Sequence, residues 1–214
     1  MRSCVILVLG MLAVSGAARA QSASPPKAYI EGVAQSAFSN VTSQSYGAEG
    51  GLAMSPSWWL VVEGGLTRDV TTDAMSAAAQ QIAASLSEAQ PLPVTYQVKE
   101  PVTFVTFGLK YEMLAGGKAQ PYVMLGGGVA RVKQDATFSV GGTDVTDNLQ
   151  QYFVVLGTDL SGTVTKPMFS LGIGVAWPAW KQLLLDFQYR YGRIFVEDQG
   201  ISINRIGLGL GFRF

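Results

Sequence analysis

"RIGLGLGFRF", Arg205 to Phe214, alternates without a break. Arg205, Gly207, Gly209, Gly211 and Arg213 fall on one side of an extended chain, and Ile206, Leu208, Leu210, Phe212 and Phe214 on the other. Successive side chains of a β-strand point to opposite faces, so the stretch reads as a strand whose two faces meet different surroundings. One face is bulky and apolar; the other is made of charge and empty space.

Seven more segments share this period of two: about 27–38, 46–54, 58–68, 100–113, 120–132, 165–177 and 182–193, with the last at 202–214. Most approach the ~9–11 residues that a tilted strand needs to cross a bilayer. The tight turns "SPSW", "AGGKAQ" and "PAWK" join the second segment to the third, the fourth to the fifth and the sixth to the seventh. "SNVTSQS" and longer stretches around 69–99, 133–164 and 194–201 make the other connections. Short turns at one rim and long loops at the other are the periplasmic and extracellular ends of a membrane barrel. The pattern predicts an all-β chain: an eight-stranded antiparallel up-and-down transmembrane β-barrel, both termini on the periplasmic side.

A soluble barrel would show the same period with its apolar face inward. Two features assign the apolar face to lipid. Glycines share a face with the charges, as a narrow lumen holding long Arg and Lys side chains requires. The tryptophans Trp58, Trp59, Trp177 and Trp180 cluster at two of the short turns, where they are expected to form a periplasmic aromatic girdle. With that assignment Glu31, Glu49, Glu63, Lys110, Glu112, Asp186, Arg190, Arg205 and Arg213 point into the lumen. A barrel of this size is just filled by side chains, so these charges are expected to pair into a plug.

The N-terminus reads as an export signal. Arg2, an apolar run from Val5 to Val14 and the small-residue site Ala18-Arg19-Ala20 predict a signal peptide over 1–20, cleaved to leave a barrel domain over 21–214. Cys4, the only cysteine, falls inside that segment, which rules out a disulfide-stapled scaffold. Removing Arg2 and Arg19 leaves 13 basic residues from the 15 of the full chain, against 15 acidic ones, a balance that does not favour nucleic acid. Histidine is absent, which excludes Ser–His and Cys–His catalysis and histidine metal sites together. The glycine runs "LGGGVA" and "GLGLG" are not followed by a helix, as a dinucleotide site would need. No cofactor or metal is expected, and the lumen carboxylates lack a nucleophile arrangement that would make them catalytic.

With its signal peptide, eight amphipathic strands, "LDFQYRYGRIF" and the terminal "RIGLGLGFRF", the whole mature chain resembles the small outer-membrane β-barrel family of the OmpA, OmpX and opacity-protein type. The resemblance implies a last strand read by the barrel-assembly machinery through Gly209, Phe212 and Phe214, with Gly207 at the usually polar position. It also implies an outer-membrane location in a Gram-negative-type bacterium, and no peptidoglycan anchoring domain is expected.

The long connections carry what remains. "TTDAMSAAAQQIAASLSEAQP" has a cap at Thr72, apolar residues Met75, Ala79, Ile82 and Leu86 at helical spacing and a stop at Pro91, which predicts a helix. "TDNLQQYFVVLG" predicts a short helix or a strand extension; Asp144, Asp147 and Asn148 nearby miss calcium-loop spacing. Arg68, Lys99, Arg131 and Arg193 lie at extracellular strand ends with lipid-facing parity, where Arg and Lys suit lipopolysaccharide phosphates; solvated loop cations are the alternative reading. The expected function is a non-enzymatic envelope-structural or surface-interaction role exerted through the loops, with a narrow porin or a channel for small hydrophobic molecules as the alternative. The expected partners are outer-membrane lipid, lipopolysaccharide and the assembly machinery.

Overall fold

In the antiparallel register between the first and last strands Gly207 stands opposite Gln35 and Gly211 opposite Glu31, and this pairing closes the sheet. A side chain at Gly207 would overlap the Ala34 carbonyl across the seam, so only glycine permits the approach. The computed structural model describes residues 27–89, 91–152, 160–180, 182–196 and 200–214; the expected signal peptide lies outside them. The elements are β1 (Ala28–Phe38), β2 (Thr42–Ala53), β3 (Trp58–Thr67), α1 (Asp73–Ala89), β4 (Val94–Lys99), β5 (Val102–Glu112), β6 (Gln120–Val140), β7 (Thr143–Asp144), a 3-10 helix (Thr146–Tyr152), β8 (Ser161–Trp180), β9 (Leu183–Ile194) and β10 (Ile201–Arg213). Hydrogen bonding runs β6-β5-β3-β2-β1-β10-β9-β8, and β8 returns to β6. These eight strands form the closed antiparallel barrel. At its seam the Phe214 carbonyl accepts from the Lys27 and Ala28 N–H groups, both at 2.9 Å.

Burial alternates along every barrel strand. Phe107, Ile173, Phe187 and Leu208 are 55–64% exposed on the outer face, while their neighbours Thr106, Gly172, Gln188 and Gly207 point inward. Such a girdle of exposed apolar residues is at home only in hydrocarbon.

The strands run past the expected boundaries at the extracellular end. β2 begins at Thr42, β8 begins at Ser161, and β6 continues to Val140. β4, inside the stretch read as a loop, pairs with the upper part of β6 from Val94↔Val140 to Lys99↔Asp135. β4 is a strand because β6 offers a partner there; its own sequence, VTYQVK, does alternate, with Val94, Tyr96 and Val98 against Thr95, Gln97 and Lys99, but over only six residues, too few to cross a bilayer. The lumen-side face of β6 thus rises beyond the barrel as Ala136, Phe138 and Val140, and α1 lays Met75, Ala79, Ala83 and Leu86 onto it, joined by Val145, Leu149 and Leu160. This crown has an apolar core of its own. The 3-10 helix takes the first half of the second loop motif; Phe153, Leu156 and Gly157 lie outside the described residues. The Asp144 carboxylate accepts from the Thr146 N–H and hydroxyl, at 2.9 and 2.6 Å, which occupies it as a turn-former.

α1 starts where the sequence places its cap: the Thr72 hydroxyl accepts from the Met75 N–H at 3.3 Å. The base of the crown is fastened by two carboxylates. Glu100 accepts from the Thr72 N–H at 2.6 Å, and Asp69 accepts from the Glu100 and Thr71 N–H groups, both at 3.0 Å. Burial pushes the Glu100 carboxyl above its ordinary value, Asp69 adds to this, and the hydrogen bonds from Thr72 oppose it. A raised acid binds its proton more tightly with the clasp closed, so closure is favoured at low pH and weakens as pH rises through the raised value. Amide-exchange protection of the first turns of α1, corrected for intrinsic rates, should fall as pH rises above the ordinary carboxylate range. E100Q should flatten that dependence, and T72A should lower protection at every pH by about 1 kcal/mol.

Candidate functional site: the charged lumen

Glycine and arginine share the inner face of β10 because a lumen this narrow cannot hold bulky side chains on every strand. The same complementarity recurs across the barrel, where a side chain at Gly174 would collide with the Tyr122 ring. Into the space so left, Lys110 of β5, Arg190 of β9 and Arg205 and Arg213 of β10 extend their full length, none of them more than 6% exposed.

At mid-barrel these cations meet carboxylates from the opposite wall. Glu49 of β2 is the hub: its Oε2 accepts from Arg190 Nη2 at 2.6 Å, its Oε1 from the Tyr29 hydroxyl at 2.5 Å and from Lys110 Nζ at 3.4 Å. Lys110 lies 4.0 Å from Asp186 Oδ2, which accepts from the Tyr122 hydroxyl at 2.6 Å. Its ammonium also sits 4.0 Å from the Tyr122 ring centroid and 4.6 Å from that of Tyr29, so two aromatic faces wrap it. Arg205 donates to Glu63 at 2.7 Å, with Arg190 Nε 3.9 Å from the same carboxylate. Towards the periplasmic rim Arg213 donates to Glu112 at 2.8 Å and to the Gln120 side-chain amide oxygen.

An apolar layer closes the network at its extracellular end. Val102, Phe104, Val132, Met168, Ile194 and Ile203 pack above it on the extracellular side. Tyr29, Trp59, Val61, Tyr122, Met124 and Leu184 pack among the charges in its periplasmic half. Trp59 is a correction to the expected girdle. It is 2% exposed, packs edge-on against Tyr29 at 5.3 Å and lies under the Arg213 guanidinium, whereas Trp58, Trp177 and Trp180 are 46–72% exposed. Adjacent strand residues cannot share a face, so one member of the Trp58–Trp59 pair had to point inward.

All nine lumen charges read from the alternation lie together inside the barrel, at most 6% exposed. Eight of them form ion pairs; Glu31 has no cation within 4.0 Å among the described residues. A reading confined to charged residues misses the tyrosine hydroxyls that stitch the pairs together, although Tyr29 has the parity of Glu31. Arg68, Lys99 and Arg131 are exposed on the outer face. Arg193 is half-buried and donates to the Ser202 hydroxyl at 2.6 Å. Gly209 lines the lumen, while Phe212 and Phe214 are 55% and 63% exposed on the outside. Among the described residues no group of His, Cys, Asp and Glu is placed to hold a metal ion.

Removing one partner of a buried pair leaves an uncompensated charge, worth about 3–5 kcal/mol. E49A, which leaves Lys110 only Asp186 at 4.0 Å and Arg190 only Glu63 at 3.9 Å, should lower the denaturant midpoint by about that equivalent. The exchanged pair E63R/R205E should recover part of what either single reversal loses, as measured by urea unfolding in detergent or lipid.

The backbone is similar to that of Neisserial surface protein A (NspA), with a TM-score of 0.54 and 12% identity over 87% of this chain and 96% of that one. It is also similar to a major outer membrane protein from Thermus thermophilus, with a TM-score of 0.51 and 12% identity over 87% and 99% of the two chains. Ail, the attachment invasion locus protein of Yersinia pestis, gives a TM-score of 0.50 and 14% identity over 89% of this chain and 100% of its own. At such identities the likeness speaks to the fold alone. No curated protein matches the chain by sequence. Residues 4–214 match the family described as "Outer membrane protein beta-barrel domain". With a filled barrel and an apolar belt already in place, the chain belongs to the outer-membrane β-barrel protein family, and its place is the outer membrane.

Proposed function

We propose that this protein is a non-enzymatic, non-conducting outer-membrane scaffold that presents its crown to the cell exterior for envelope-structural or surface interactions. The observation that carries this reading is the lumen: among the described residues its nine charges are at most 6% exposed, ion-paired for the most part and covered on the extracellular side by an apolar layer. A narrow porin or a channel for small hydrophobic molecules would need an open or apolar-lined interior, and this one is charged and full. The crown, by contrast, has its own apolar core and projects well past the barrel. In planar bilayers the intact barrel should give no stable, large conductance, and one that persists in repeated insertions would sink the reading.

Two partners follow from the outer surface. Arg68 follows the exposed Leu66 on its strand and Arg131 the exposed Val129, where lipid gives way to headgroup. Together with Lys99 and Arg193 they offer cations to lipopolysaccharide phosphates. Reversing all four charges should lower lipopolysaccharide co-purification several-fold; unchanged recovery would leave them as ordinary surface cations. Phe212 and Phe214, exposed beside the seam, are read as the assembly signal together with Gly209. Deleting Phe214 should reduce the fraction that shows heat-modifiable migration in cell envelopes, while refolding in detergent proceeds.

A further inference from the structure

Among the described residues, the five carboxylates Glu31, Glu49, Glu63, Glu112 and Asp186 below the upper apolar layer face only the four cations Lys110, Arg190, Arg205 and Arg213. Lys166 also has inward parity, but it stands above the upper apolar layer, two residues beyond Met168 on β8. Every carboxylate except Glu31 has a cation within 4.0 Å. Glu31 is 2% exposed, and its one hydrogen bond comes from Gln188 Nε2 at 3.4 Å. Its other oxygen, Oε2, has no partner.

The charged groups acting on Glu31 are Glu49 of β2, Lys110 of β5, and Asp186 and Arg190 of β9. Both cations are already engaged, Lys110 by Glu49 and Asp186, and Arg190 by Glu49 and Glu63. From β10 only Gly209 and Gly211 face this level, and a side chain at Gly209 would come within 3.1 Å of Glu31 Oε2. On β9, Asp186 Oδ1 and Gln188 Oε1 are likewise buried without a donor. An unpartnered Glu31 oxygen and one surplus negative charge are therefore buried in a lumen encircled by lipid. An unpaired buried carboxylate there is strongly unfavourable.

We infer that Glu31 holds one monocation, a proton or a dehydrated alkali-metal ion, as the fifth positive charge of the lumen. With it the plug is neutral. Without it Glu31 repels Glu49 and Asp186, and the hub around Glu49 loosens. E31Q keeps the shape and the acceptor while removing the need for the cation.

The test uses the full-length mature barrel refolded in detergent, with heat-modifiable migration confirming that each variant has folded. If the cation is a proton, the infrared difference between wild type and E31Q contains the carbonyl band of one protonated carboxyl group. If it is an alkali ion, native mass spectra from sodium or potassium buffer show one bound Na⁺ or K⁺ that E31Q lacks, and G209A weakens its binding by filling the space beside Oε2. Either result supports the inference. A folded wild type with neither the band nor the ion overturns it, and so does a bound divalent ion. Should E31Q fail to refold, alkaline titration of the wild type decides: a single protonated-carboxyl band lost on titration, or one alkali ion retained, supports the site, and the absence of both overturns it.

Discussion

Inside hydrocarbon no backbone N–H or C=O can turn to water, so a sheet that crosses the bilayer must leave no open edge. Everything else in this chain depends on that demand being met at the seam between β1 and β10, where the Phe214 carbonyl is held by two N–H groups of the first strand. Closure fixes which face of each strand is outside, and the outside must then be apolar throughout. It also fixes a small interior volume, and that volume decides which side chains the inside can hold. The glycines of β10 are a consequence of closure, since they let Arg205 and Arg213 lie across the lumen and let the backbones of the seam come together.

The interior answers a second demand. Charges enclosed by lipid must be compensated, and a cluster of shared partners does this better than isolated pairs. Glu49 serves Arg190, Lys110 and the Tyr29 hydroxyl at once, and Arg190 in turn reaches Glu63. Aromatic faces contribute as well, with Lys110 held between Tyr29 and Tyr122. The result is a core made of salt bridges inside a shell made of hydrocarbon side chains, the reverse of a soluble domain.

Much of this is legible in the sequence because a period of two is unambiguous once a strand has two unlike faces. The eight strands, their inward charges, the Thr72 cap and the α1 stripe all follow from local pattern. What local pattern cannot supply is anything settled by a distant partner. β4 alternates over six residues, and its place above the barrel is set by the far end of β6 lying beside it. Among the described residues Glu31 ends without a side-chain cation because Lys110 and Arg190, from other strands, are drawn to Glu49. Trp59 departs from expectation for a different reason: clustering at a turn suggests the girdle, but the parity of its own strand is the stronger constraint.

The charges of the network are unevenly distributed along the chain. The first three strands contribute Glu31, Glu49 and Glu63 to the lumen and no cation, while the last two contribute Arg190, Arg205 and Arg213 beside the single acid Asp186. An incompletely rolled sheet therefore has an acidic leading wing and a basic trailing wing, each carrying bare ions that lipid will not accept. The wings attract one another, and neither is tolerable in the membrane until they meet. Such a distribution favours the meeting of the two ends of the chain, because the ions of either wing find their partners only once the barrel is closed.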